Sequence, residues 1–250
     1  MKEKYFFNRH SYRIFSDREV SDELLDSILL RAMKAPTTGN MQLYSVIINR
    51  DPEMLERLAP THFNQPAVKN AKVLLTVCAD FYRFTRWCEI NKADAGFDNF
   101  LSFTSACADA FILAQQIVTI AEMEGLGTCY LGTVTYNASQ IAEILELPEL
   151  TVPVACIALG WPEGEPEETE RLGLDAVVHK EKYRKDSDAQ IVELFKAKDD
   201  FAPNARFVKE NNKENLAQVF AEVRYPRQMN EEFSKAFLEF LKKQKFLNHE

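Results

Sequence analysis

Residues 109–132 read D-A-F-I-L-A-Q-Q-I-V-T-I-A-E-M-E-G-L-G-T-C-Y-L-G. Together with 101–108 they carry a long apolar run with few charges, which predicts a helix over about 101–124 that is buried on most sides. Gly125 is its natural stop. The glycines that follow have the spacing G-x-G-x-x-x-x-G and come after a helix. A dinucleotide-binding fingerprint needs G-x-G-x-x-G after a strand, so a Rossmann unit is excluded and the stretch reads as a helix stop and a turn.

Outward from this helix, two near-continuous apolar runs predict central strands: K-V-L-L-T-V-C-A-D (72–80) and V-P-V-A-C-I-A-L-G-W-P (152–162). S-V-I-I-N-R (45–50) predicts a third strand. S-D-E-L-L-D-S-I-L-L-R-A-M-K-A-P (21–36) predicts a helix capped by Ser21, with Asp22 and Glu23 at its positive end. Asp51-Pro52 opens a short helix. Asn137-x-x-Gln140 has the form of a capping box for a helix to about Leu147. After Glu163 the texture turns acidic and loop-like, and amphipathic helices follow near 187–197, 213–223 and 231–245. Strands alternating with helices make the chain α+β (mixed α/β). Two regions are expected: a core over 1–165 and a C-terminal extension over 166–250 whose helices pack on the core or on a partner subunit.

The composition is that of an ordinary globular protein of 250 residues, 46% hydrophobic and 27% charged. A formal net charge of -8 opposes nonspecific nucleic-acid binding. Five scattered cysteines without a C-x-x-C pair read as reduced, buried thiols. The N-terminus has no signal-like apolar segment, and no stretch is read as apolar enough to span a bilayer, so a cytoplasmic protein without a membrane partner is expected. There is no P-loop, no G-x-S-x-G elbow and no H-E-x-x-H, and the four histidines are too dispersed for a metal site. An enzyme built this way leaves its chemistry to a cofactor.

Three polar stretches remain. R-H-S-Y-R (9–13) sets two arginines and a serine in five residues, a donor set suited to a phosphate. A-P-T-T-G-N-M-Q (35–42) offers hydrogen-bonding groups to a flat polar heterocycle. G-L-G-T-C-Y-L-G-T (125–133) permits close backbone approach and carries Tyr130. Taken alone, each reads more readily as an ordinary turn or loop.

In this order, and with L-P-E-L-T-V-P-V-A-C-I-A-L-G-W-P and R-L-G-L-D-A-V-V-H-K-E-K-Y after them, they resemble the FMN-dependent nitroreductases. The likeness covers essentially the whole chain and points to the larger oxygen-insensitive NAD(P)H nitroreductase and flavin reductase subgroup. It implies a nitroreductase-like fold: a central, mostly antiparallel sheet wrapped by helices, a C-terminal helical extension, and a homodimer with FMN at its interface. By resemblance, Arg9, His10 and Ser11 hold the flavin phosphate and ribityl chain, and Arg13 lies near the pyrimidine edge. Thr37, Thr38 and Asn40 reach the flavin from the partner chain, Gln65 hydrogen-bonds the ring, Tyr130, Leu131 and Gly132 lie against it, and Arg171 is a second phosphate ligand. The resemblance further implies ping-pong transfer from NADPH or NADH to a nitroaromatic, quinone or flavin acceptor, with no obligatory side-chain nucleophile. A flavin-binding protein with little turnover, or a related flavin enzyme such as a reductive dehalogenase, is the alternative. Thr169, Thr133 and Thr135 stand where the subgroup is often basic, and Lys209 and Lys213 stand where tail arginines grip the NADPH phosphate.

Overall fold

The structure is a computed structural model that describes residues 2–166 and 168–249, with the side chains of 2–4 excepted. It divides into two compact units. The first comprises 1–167 and 234–250, and the second 168–233.

The first unit is built on four antiparallel strands: β1 (Tyr44–Asn49), β2 (Val73–Asp80), β3 (Gly127–Tyr130) and β4 (Thr151–Gly160). Their order across the sheet is β1-β2-β4-β3. The two apolar runs become the central pair, as their composition requires. β3 lies where the sequence reading placed only a turn. Its four residues are too few to show alternation, and pairing with β4 makes them a strand. Pro153 sits in central β4, where a missing N–H breaks the ladder. The register shifts at this point: Val77 faces Ala155 and Cys78 faces Pro153, so Val154 is an extra residue.

The helices of this unit are α1 (Lys2–Phe7), α2 (Asp22–Ala32), α3 (Pro52–Leu58), α4 (Pro66–Lys69), α5 (Tyr82–Ile90), α6 (Phe100–Met123) and α7 (Ala138–Ile144). Alternate residues of the central strands feed two cores. Val73, Leu75, Val77, Ile157 and Leu159 pack with α2 and α6. Leu74, Cys156 and Ala158 pack with Leu58, Val68 and Ile141 on the other face. Ser21 Oγ accepts from Leu24 N at 3.2 Å and the Asp51 carboxylate from Met54 N at 2.9 Å, so both expected caps form. The box at Asn137 does not: its Nδ2 donates to Thr61 O at 2.7 Å instead.

α6 also corrects the sequence reading of hydropathy. An 18-residue window within it has mean hydropathy 1.3, long and apolar enough by composition to cross a membrane. Its buried stripe, including Phe103, Ala106, Ala110, Leu113, Ala114, Ile117 and Val118, packs into the first core.

The second unit carries α8 (Leu174–Val177), α9 (Asp188–Asp199), α10 (Ala202–Glu210) and α11 (Leu216–Gln218), the last continuing as a π-helical turn over Val219–Arg224. A full capping box between Ser187 and Gln190 starts α9. α10 falls where the sequence reading marked no helix. Its apolar residues are few, and Pro203 occupies its first turn, where proline is tolerated. α12 (Arg227–Lys243) begins in this unit and ends in the first, where Phe240, Leu241 and Phe246 join the α6 core.

A glycine pair controls one edge of the sheet. Gly127 and Gly160 face each other across β3 and β4. A Cβ on Gly127 would stand 2.8 Å from Tyr12 Cβ, and one on Gly160 would stand 2.9 Å from Phe15 Cβ. Gly127→Ala is expected to lower stability by about 1–3 kcal/mol in urea unfolding. Gly96→Ala, where an added Cβ meets no atom within 4 Å, is expected to change it by less than about 0.5 kcal/mol.

Candidate active site

The R-H-S-Y-R segment lies over that glycine pair. Tyr12 N donates to Thr128 O of β3 at 3.0 Å, Ser16 N donates to Trp161 O at 2.9 Å, and Phe15 forms a bridge with Pro162. Arginines that would otherwise sit on a mobile N-terminal arm are thereby fixed to a sheet edge.

Glu122, in the last turn of α6, organises this edge. Its nearly buried carboxylate accepts from Tyr5 Oη at 2.7 Å, from Arg9 Nε at 3.3 Å and from Thr128 Oγ1, and Arg9 Nη2 pairs with it at 3.1 Å. Burial, and then this bond to Glu122, pushes the Tyr5 phenol up to about 12. Arg9 Nη1 reaches Ser11 Oγ at 3.5 Å. Arg9 is close enough to Tyr130 to offset part of the rise that burial imposes on that phenol. His10 Nδ1 is buried with no hydrogen-bond partner among the described residues. Arg13 is exposed. The Arg9 guanidinium, the Ser11 hydroxyl and an orphaned buried imidazole nitrogen form a set that fits an FMN phosphate and its polar chain.

The T-T-G-N-M-Q loop is held by a second buried carboxylate of α6. Asp109 Oδ1 accepts from both Thr38 N and Thr38 Oγ1 at 2.8 Å, and its Oδ2 accepts from Leu43 N at 3.3 Å. Thr37 Oγ1 accepts from Gln42 N at 3.4 Å, and Asn40 accepts the Gln42 amide through O and Oδ1. Gly39, Asn40 and Gln42 all have positive φ, so the loop is a tight, locally tied structure. Asp109 and Glu122 lie about 20 Å apart along the helix axis. Within one chain, Thr37, Thr38 and Asn40 are therefore not brought to Arg9 and Ser11.

The segment that leads into Gln65 and the turn that follows Leu131 and Gly132 are tied together. Gln65 stands half-buried at the N-terminus of α4, and the chain just before it is tied to the 131–137 turn: His62 Nδ1 lies 2.9 Å from Thr133 Oγ1. Leu131 is buried and Gly132 exposed. Arg171 lies in the second unit, exposed, with Nη1 donating to Glu170 O at 2.8 Å. Lys213 is occupied by an ion pair with Glu222 at 2.8 Å.

Sequence reasoning missed Glu122, Asp109 and His62. The first two had a signal: they are acids inside an apolar helix, and a charge there needs a partner. His62 had none beyond its place in the turn before Gln65.

Residues 7–161 match the Nitroreductase family. The chain is 31% identical over 183 residues to the FMN reductase (NADPH) of Bacillus subtilis, covering 72% of this chain and 74% of that protein. It is 30% identical over 174 residues to the oxygen-insensitive NADPH nitroreductase of Salmonella typhimurium, covering 70% and 71%. It is also similar to a crystal structure from Bacteroides fragilis at 41% identity and TM-score 0.96, over 98% of this chain and 99% of that one. The chain belongs to the nitroreductase family.

Burial holds the His62 imidazole down to about 4, so it stays neutral in the folded protein while the unfolded chain protonates it near 6.5. Its contribution to stability is complete above about pH 6.5 and is lost as pH falls toward 4, reaching roughly 3 kcal/mol. Urea unfolding across this range, for the wild type and His62→Gln, should show that the variant lacks this part of the acid loss.

Proposed function

We propose that the protein is an FMN-dependent oxidoreductase that uses NADPH or NADH to reduce a nitroaromatic, quinone or flavin acceptor in two half-reactions at one site. The supporting observation is the Arg9–Ser11 donor set fixed by Glu122 beside β3. FMN, when bound, accepts a hydride from the nicotinamide and passes two electrons to the acceptor.

The chain's own residues bind, orient and tune. Arg9 and Ser11 donate to the phosphate, with His10 beside the ribityl chain. Tyr130, Leu131 and Gly132 bring the β3 end against one face of the ring, where the exposed glycine permits close approach. Gln65 supplies an amide to the ring edge. Arg13 places a fixed cation at the pyrimidine side, where negative charge gathers on reduction, and so favours hydride acceptance.

The second half of the site comes from a second copy of the chain. The Asp109 loop lies about 20 Å along α6 from Glu122, so Thr37, Thr38 and Asn40 serve the flavin bound to the partner. The outward side of α6 supports the same homodimer: Leu101, Phe111 and Ile112 are exposed large apolar residues on it. The 166–250 extension contributes to that dimer. The five cysteines are free thiols, in keeping with a reducing compartment such as the cytoplasm.

Anaerobic addition of NADPH, then NADH, to FMN-loaded protein is expected to bleach the flavin absorbance, and a spectrum unchanged by either donor would contradict the proposal. Arg13→Ala is expected to slow this reduction about tenfold or more with folding unchanged. Light scattering should give a mass twice that of the 28.7 kDa chain.

A further inference from the structure

The chain reaches Gln65 by an unusual path. A single 3₁₀ turn, Ala59–His62, is followed by two consecutive left-handed residues, Phe63 (φ 54°) and Asn64 (φ 53°). Neither is glycine, and a left-handed residue with a side chain costs roughly 1–2 kcal/mol. Such a turn persists where its surroundings hold it.

Three contacts from the 131–137 turn do so. His62 Nδ1 lies 2.9 Å from Thr133 Oγ1, Asn137 Nδ2 donates to Thr61 O at 2.7 Å, and the Phe63 and Tyr136 rings meet edge-on at 6.5 Å. His62 has no exposed surface, and its Nε2 is buried without a partner among the described residues. A neutral ring carries one N–H, and placing it on Nδ1 satisfies it against the threonine hydroxyl. A buried imidazole with one bare nitrogen packs less favourably than an aliphatic side chain of similar size. The fold therefore gains nothing from imidazole at this position except the bond to Thr133.

We infer that His62 and Thr133 form a clasp that positions Gln65 against the Leu131–Gly132 turn, so that the ring-edge amide is already oriented when FMN arrives. His62 is a positioning residue in this arrangement and touches neither flavin nor substrate. The inference rests on the proposed flavin role of Gln65, Leu131 and Gly132, and it gives a purpose to Thr133, where the subgroup is often basic.

The test compares His62→Leu, Thr133→Val, the double variant and His62→Asn, whose amide nitrogen can stand in for Nδ1. In the flavin-free protein, amide hydrogen exchange at Asn64 and Gln65 is read, because these N–H groups bond to Ala59 O and His62 O at 2.9 and 3.2 Å. Exchange is expected to rise about tenfold or more in both single variants, with no further rise in the double and recovery in His62→Asn. In the FMN-loaded protein, flavin reduction by NADPH is expected to fall about tenfold in the same variants and in Gln65→Ala, while FMN affinity stays within about threefold because the phosphate is held elsewhere. Reduction at the wild-type rate in Thr133→Val, with exchange unchanged, would overturn the clasp. A wild-type protein that is not reduced at all would instead overturn the flavin reading and leave the exchange measurement to decide the clasp.

Discussion

The ion pair between Arg9 and Glu122 is the constraint on which the candidate site depends. A carboxylate this buried at the end of an apolar helix must be paired, and it takes its partners from three directions: Tyr5 from α1, Arg9 from the crossing segment and Thr128 from β3. The pair works only because the segment can lie flat on the sheet, and it lies flat because Gly127 and Gly160 leave no Cβ in its way. Two glycines and one acid thus turn a flexible arginine-rich arm into a fixed donor array beside Tyr130.

The same helix anchors two polar stretches that stand well apart. α6 presents Glu122 at one end and Asp109 further back, each tying down one polar stretch. The helix sets the spacing between the two stretches at about 20 Å. In the proposed homodimer, the Asp109 loop of one protomer would complete the Glu122 edge of the other. The apolar outward side of α6 is the surface such a pairing would cover.

Much of the fold was legible in the sequence where the signal is local. Ser21 and Asp51 cap their helices because a side-chain oxygen on an extended residue lies within reach of the free N–H three residues on, a purely local geometry. β2 and β4 read as central strands because both faces are buried. What could not be read is set by partners far along the chain. β3 exists through its pairing with β4, and the Asn137 side chain is turned from the helix end by donating its Nδ2 to Thr61 O, seventy-six residues away. R-H-S-Y-R was conspicuous as a donor set, but its anchoring by Glu122, more than a hundred residues away, left no trace beyond an acid in an apolar helix. His62 was invisible because a lone histidine carries no pattern, and its meaning comes from Thr133 across the site.

If the anchored arginine segment is a phosphate cradle, the protein must tell FMN from riboflavin, which lacks only the phosphate. The direct measurement is the dissociation constant of each flavin for the wild type and for Arg9→Ala, by fluorescence quenching at fixed ionic strength. The expected result is FMN bound about a hundredfold or more tighter than riboflavin, with most of that preference gone in Arg9→Ala and riboflavin affinity little changed. Equal affinity for the two flavins in the wild type, or a preference untouched by Arg9→Ala, would contradict the role given to this segment.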